Sequence, residues 1–174
     1  MILKWLFKSQ PPPTLKAIFI TSAAGDKMQT VQSLDAIAQR GLQGDRYSAS
    51  KGFWQVTDAC QVTLISEDDL SKAKKGQVQK VQHQLDAGSH RRNLVVTGIK
   101  TQVLQGKTFR IGDAVFCYHK PRPPCGYLDR IEGRGLSRAL GKHSGVCLQV
   151  ISSGTITVGD HLHMIEHDNA LRQR

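Results

Sequence analysis

Four cysteines, two basic turns and a pair of histidines are the side chains in this sequence most suited to chemistry. Cys125 has the most specific setting. It closes the run Pro121-Arg122-Pro123-Pro124-Cys125, where prolines stiffen the backbone and Arg122 brings a positive charge. A thiol held at such a turn is placed for exposure and for a lowered pKa, and its thiolate would be both a nucleophile and a soft metal ligand. The competing reading is a small buried hydrophobe, the usual fate of a free cysteine. Cys60, Cys117 and Cys147 lie in apolar or strand-like stretches, and packing is the expected role of each.

The first basic turn is Gly41-Leu42-Gln43-Gly44-Asp45-Arg46, and the second is His90-Arg91-Arg92-Asn93. Guanidinium forks match phosphate oxygens, and an amide beside them can read the edge of a ring. Together with Cys125 the turns could form one anion-binding mouth. The plainer alternative is a solvated basic loop in which Asp45 pairs with Arg46 to fix the turn. His161 and His163 would share one face of a strand, but no third ligand accompanies them. No phosphate loop, dinucleotide fingerprint, zinc-protease or serine-hydrolase motif occurs. The aromatic residues are not interleaved with the basic ones, so a base-stacking surface for nucleic acid is not expected.

Short apolar runs between glycine turns must position these residues. Leu15 to Thr21, Gln61 to Ser66, Asn93 to Thr97, Thr108 to Ile111, Ala114 to Tyr118 and His161 to Ile165 read as strands. Gly112-Asp113 predicts a hairpin turn, and Val146 to Ile151 with Thr155 to Val158 reads as a further strand pair around Ser152-Ser153-Gly154. Ser66 followed by Glu67, Asp68 and Asp69 predicts a capped helix start, which Gly76 would stop. Val78 to Leu85 is too weakly periodic to assign, and Gly135 to Leu140 is at most a short helix. The pattern predicts a mainly β fold, a closed β-barrel with a few short helices, over residues 15–166. An N-terminal tail, 1–14, would end at Pro11-Pro12-Pro13 and either stay loose or dock Trp5, Leu6 and Phe7 on the domain; a C-terminal tail would span 167–174.

Charge and length narrow the partners. The 174 residues carry 24 Lys and Arg against 14 Asp and Glu, a net charge of +10, so something anionic is attracted: nucleic acid, a phosphate-bearing cofactor or an acidic surface. No apolar run approaches the ~20 residues that span a bilayer, so no membrane partner is expected. Met1 to Phe7 is too short for a signal peptide and lacks a cleavage site, which predicts a cytoplasmic protein with reduced thiols. No C-x-x-C pair supports a structural zinc site.

The order of motifs adds a resemblance. GLQGDR at Gly41–Arg46, VTLIS at Val62–Ser66, LDAGSHRRNLVVTGI at Leu85–Ile99 and LQGKTFRIGDAVF at Leu104–Phe116 come in sequence. PRPPC at Pro121–Cys125, GLSRAL at Gly135–Leu140 and GVCLQVISSGTITVGD at Gly145–Asp160 follow. Over about Leu15 to Ile165 the chain resembles the MOSC domain family, named after the C-terminal part of molybdenum cofactor sulfurase, and within it the small stand-alone bacterial members. The resemblance implies a β-barrel that holds the molybdenum cofactor (molybdopterin) or handles sulfur bound for it. It implies that Cys125 is the catalytic cysteine, as molybdenum ligand or sulfur carrier. Arg46, Arg91 and Asn93 match the positions that meet the pterin and its phosphate, while Asp45 suits a loop-fixing role. Pyridoxal phosphate is not expected, because that chemistry belongs to an aminotransferase-like domain the sequence lacks.

Three functions follow. The first is a molybdenum-dependent reductase of small N-hydroxylated compounds, fed by a separate electron-donor protein because the sequence holds no ferredoxin-like cysteine cluster. The second is a sulfur carrier with a persulfide on Cys125 for cofactor or metal–sulfur assembly. The third, which the scattered aromatics disfavour, is a nucleic-acid-binding module.

Overall fold

The computed structural model describes residues 11–52 and 60–166. The expected docking of Trp5, Leu6 and Phe7, and the C-terminal tail 167–174, lie outside the described residues. The strands are β1 (Thr14–Ile20), β2 (Gln29–Val31), β3 (Ser33–Ile37), β4 (Gly41–Leu42), β5 (Val62–Ser66), β6 (Leu94–Thr97), β7 (Thr108–Ile111), β8 (Ala114–Pro121), β9 (Val146–Ser152), β10 (Gly154–Thr157) and β11 (Leu162–Ile165). The helices are α1 (Glu67–Lys74), α2 (Gln79–Asp86), α3 (Gly126–Glu132) and α4 (Leu136–Leu140).

Eight strands form one sheet in the order β11-β7-β8-β9-β5-β6-β1-β2, and β10-β3-β4 form a second sheet of three. The fold is mainly β with four helices among the described residues, but the expected closed barrel is not formed. The eight-stranded sheet ends at β11 and β2. Around β11 and β1 there is a single bridge, Thr14 to His161, with Leu162 N–H donating to Pro13 O, rather than a continuous ladder. Pro11, Pro12 and Pro13, which precede Thr14, carry no N–H with which to extend that bridge into a ladder. The expected pairing of β10 with β9 is not formed either: the Ser152-Ser153-Gly154 turn sends β10 across the β7–β8 turn, where Asp113 N–H donates to Thr155 O, and on to an antiparallel ladder with β3. A Cβ at Gly154 would collide with the Asp113 carbonyl, so only glycine allows this crossing.

One core joins the two sheets: Ala36, Leu42 and Ile156 of the small sheet share a cluster with Leu15, Leu64, Phe109 and Phe116 of the large one. A second cluster lies under the helices, where Ile65 and Val95 meet Leu70, Leu85, Leu128 and Leu136. β5 is therefore buried along its whole length and β6 at three of its four residues. These two strands pair in parallel, which needs a long crossover, and α1 with α2 supplies it. Ser66 caps α1 by accepting the Asp69 N–H at 3.1 Å. Val81 and Leu85, four apart, give α2 its buried stripe. No helix among the described residues is long and apolar enough to cross a membrane.

Candidate functional site

Leu64 of β5 is in register with both Leu94 of β6 and Val146 of β9, so the loops entering those two strands flank it. Arg92 clasps them together. Its Nε donates to Ser144 O at 2.6 Å, its Nη2 to Ser144 Oγ at 2.5 Å and its Nη1 to His90 O at 3.0 Å. Gly145 has φ +82°, and a Cβ there would drive into the Leu64 carbonyl. The Gly145 carbonyl accepts the Arg122 N–H at 2.9 Å, which fixes the start of the proline turn.

The glycine turn after β4 is built around Asp45, which is wholly buried. Its Oδ1 accepts from Thr21 N–H (3.1 Å), Asn93 Nδ2 (3.0 Å) and Arg46 Nη1 (3.2 Å), and its Oδ2 accepts from Tyr47 N–H (3.1 Å). Arg46 is thereby laid over the Tyr47 ring at 4.5 Å, with Nη2 donating to Arg91 O at 3.3 Å. Arg91 sits in the left-handed region at φ +59°, a strained conformation for a residue with a side chain, of order 1–3 kcal/mol. Its Nη1 donates to Asp26 O at 2.6 Å and to Glu132 Oε1 at 2.8 Å, while its Nη2 is buried with no partner.

Arg46, Arg91, Arg92 and Arg122 line one cleft, open at its mouth, whose enclosed room is about 50 Å³. Tyr47 lies among them, and Cys125 with the first residues of α3 forms the facing wall. The structure thus brings Arg46, Arg91 and Cys125 together. Asn93 does not line the cleft: its Oδ1 accepts from Thr63 N–H and Oγ1, and its Nδ2 donates to Phe19 O and Asp45, so its amide is used up beneath the floor. Arg92, Arg122 and Tyr47 join the site although the family motifs did not single them out for the cofactor. Tyr47 and Arg92 each adjoin a chosen residue in sequence, and Arg122 stands three residues before Cys125 as the charge of the proline turn.

The electrostatics follow from burial. Asp45 pairs with Arg46 at 3.2 Å and Glu132 with Arg91 at 2.8 Å, so two of the cleft's guanidinia are held by carboxylates. Burial, with Arg122 nearby, lowers Arg92 from its ordinary value to about 10, still a cation at neutral pH. Burial raises the Tyr47 phenol against the opposing pull of Arg46, so it stays a neutral hydroxyl that accepts from Arg122 Nη2 at 3.2 Å. His90 is pushed down to about 3 by burial and by the charge of Arg92; its unprotonated Nδ1 accepts the Arg92 N–H at 2.9 Å.

No three His, Cys, Asp or Glu side chains converge on a metal-ion cage among the described residues. The His161 and His163 rings meet edge to face, 6.1 Å between centroids, with no further ligand. The cleft offers one thiol, so it suits a metal that arrives already chelated by an organic, anionic cofactor rather than a bare ion. Arg91 lines this cleft, and its Nη2 is buried without a hydrogen-bond partner.

A profile of the MOSC domain matches residues 52–163, which include Arg91, Arg92, Arg122 and Cys125. The chain belongs to the MOSC domain family. Among solved structures, the YuaD protein from Bacillus subtilis is similar with a TM-score of 0.69 at 12% identity, over 91% of this chain and 98% of that one. YiiM from Escherichia coli is similar with a TM-score of 0.62 at 19% identity, over 90% of this chain and 70% of that one. YiiM from Geobacillus stearothermophilus gives 0.61 at 16%, over 89% and 76%. At these identities the likeness is one of fold. Among curated proteins, none matches this chain.

Proposed function

We infer that this MOSC domain binds the molybdenum cofactor in the arginine cleft, with Cys125 as the protein's ligand to molybdenum. One observation carries the reading: Arg91 Nη2 is buried without a partner in a cleft that gathers four guanidinia and one thiol. A buried donor left unbonded costs about 1–3 kcal/mol, which an anionic oxygen placed against it would recover. Arg46 and Arg91 hold that oxygen. Arg92 and Arg122 add charge, and Tyr47 gives a neutral polar edge. The proline turn keeps the Cys125 side chain in the cleft rather than in the core.

When bound, the cofactor supplies a two-electron redox centre. The reaction we assign is reduction of a small N-hydroxylated compound, R–NHOH + 2 e⁻ + 2 H⁺ → R–NH₂ + H₂O. The electrons come from a separate donor protein and the protons from water. Sulfur delivery is the second reading. Cys125 is the sole cysteine lining the cleft among the described residues, so a persulfide there has no adjacent thiol to collapse onto.

Elemental analysis separates the two. Protein from a host that completes molybdenum cofactor synthesis should carry molybdenum, and protein from a host that cannot should not. Cys125→Ser should lose the metal, and Arg91→Ala should retain at least tenfold less, since a charge-assisted hydrogen bond contributes about 1.5–3 kcal/mol. Sulfane sulfur on Cys125 with no molybdenum from either host would establish sulfur delivery instead. Full molybdenum retention in both variants would overturn the site assignment.

A further inference from the structure

Arg130, Arg134, Arg138 and Lys142 recur every four residues along the segment that follows Cys125, and all four are exposed. The acids of that segment do not offset them. Asp129 accepts from Ser137 N–H and Oγ, and Glu132 is taken by Arg91. None of the four cations has a carboxylate partner among the described residues, whereas Lys16, Lys72 and Lys74 on other elements each pair with an acid. The Asp129–Ser137 bonds also tie α3 to α4, so the cations ride on one braced unit.

This unit adjoins the cleft. Tyr127, Leu128 and Ile131 of α3 line it, and the Arg130 guanidinium lies 5.5 Å over the Tyr127 ring. We propose that α3 and α4 form the docking surface for an acidic electron-carrier protein whose reduced flavin or iron–sulfur centre is ringed by Asp and Glu. The proposal rests on the reductase reading above. The carrier is oxidised as the cleft's redox centre is reduced, and a one-electron carrier docks twice to supply the two electrons of each turnover. Uncompensated cations steer an acidic partner to this face and set its orientation. Among the described residues the large exposed apolar side chains, Val78, Val103, Ile151, Met164 and Ile165, all lie elsewhere, which disfavours a lipid surface as the occupant. The position beside the cleft favours an electron carrier over nucleic acid, because electrons must enter there.

The test uses the full chain and two probes, a purified acidic flavodoxin and an acidic plant-type ferredoxin. Affinity is measured at low and at high ionic strength. One variant replaces Arg130, Arg134, Arg138 and Lys142 by serine. A matched variant replaces Lys75, Lys80, Lys107 and Arg110, four exposed cations on other elements. The expected result is at least tenfold weaker binding of one or both carriers for the first variant, less than twofold change for the second, and loss of the difference in high salt. If the fourfold variant does not fold, Arg134→Ser with Arg138→Ser should still weaken binding at least threefold. Equal losses in both sets, or no carrier binding by the unaltered protein, would overturn the proposal. So would an effect confined to a DNA duplex or to phosphatidylserine vesicles run in parallel. Binding needs no molybdenum, so the metal content of the same samples reports separately on the cofactor reading.

Discussion

Replacing Asp45 by asparagine keeps the size and shape of the side chain, yet it should destabilise the protein by about 3–5 kcal/mol. The carboxylate is wholly buried and all four of its partners are donors: two backbone N–H groups, the Asn93 amide and the Arg46 guanidinium. An asparagine carries one acceptor. With its oxygen at the Oδ1 position it meets Thr21, Asn93 and Arg46, and its NH₂ then faces the Tyr47 N–H. That leaves two buried donors opposed, about 1–3 kcal/mol. The second loss is the negative charge beside Arg46, which is 5% exposed and would keep its charge without a counter-ion. Breaking one side of a buried ion pair costs about 3–5 kcal/mol, and the two losses overlap because they share the site. Against a typical domain stability of about 5–15 kcal/mol the variant should remain folded but with a much lower urea midpoint. Urea unfolding followed by circular dichroism at neutral pH gives the answer, with an unchanged slope as the sign that the folded state is intact. Asp68→Asn, which removes an exposed carboxylate paired to Lys72, should leave the midpoint where it is. A midpoint for Asp45→Asn indistinguishable from that of Asp68→Asn would refute the view that Asp45 holds the arginine turn together.

Limiting iodoacetamide at neutral pH, followed by peptide mapping, should modify Cys125 in the cleft and spare Cys60 and Cys147, which are 2% and 0% exposed; equal labelling of Cys60 would count against an accessible Cys125. His90 is held neutral in the fold at a pKa of about 3 but takes a proton near pH 6.5 once unfolded, so its stabilisation is full above pH 6.5 and falls as pH drops towards 3, by up to ~1.4 kcal/mol per unit. The urea midpoint of the wild type should therefore decline between pH 6.5 and 5, and His90→Gln, which keeps an acceptor for the Arg92 N–H, should flatten that decline. Gly145→Ala combines φ +82° with a Cβ driven into the Leu64 carbonyl and should destabilise by more than ~2 kcal/mol; a thermal midpoint equal to that of the wild type would show that the β9 approach has slack.

The legible parts of the fold were those written locally. VTLIS followed by three acids gave β5, its Ser66 cap and the start of α1, because capping and strand propensity act over a few residues. The Gly112-Asp113 hairpin read correctly for the same reason. α2 escaped because two apolar residues, Val81 and Leu85, are its whole buried stripe within a polar stretch. β2, β3 and β4 are short, and β4 has two residues, too few to show an alternation. The expected β9–β10 strand pair failed on a long-range choice: β10 pairs with β3, more than a hundred residues earlier, instead of with its neighbour β9. Nothing in the turn sequence Ser152-Ser153-Gly154 distinguishes the two outcomes; the Asp113 carbonyl that occupies the space beside Gly154 does.

Asn93 shows how a motif residue can lie beneath a cleft rather than on its lining. Its amide was expected to face a pterin, and instead it bridges the core strand β5 to the arginine turn, through Thr63 on one side and Asp45 on the other. Asp45 in turn holds Arg46, and Arg46 donates to the Arg91 carbonyl, so the strained φ of Arg91 is braced from the core outwards. That chain of bonds, with the Asp26 carbonyl and Glu132 on Nη1, holds a buried guanidinium whose Nη2 has no partner. An Arg-x-Asn spacing therefore encodes two different placements, one side chain on the cleft wall and the other bonded beneath it. A sequence motif carries both letters with equal weight, and only the hydrogen-bond partners tell which is which.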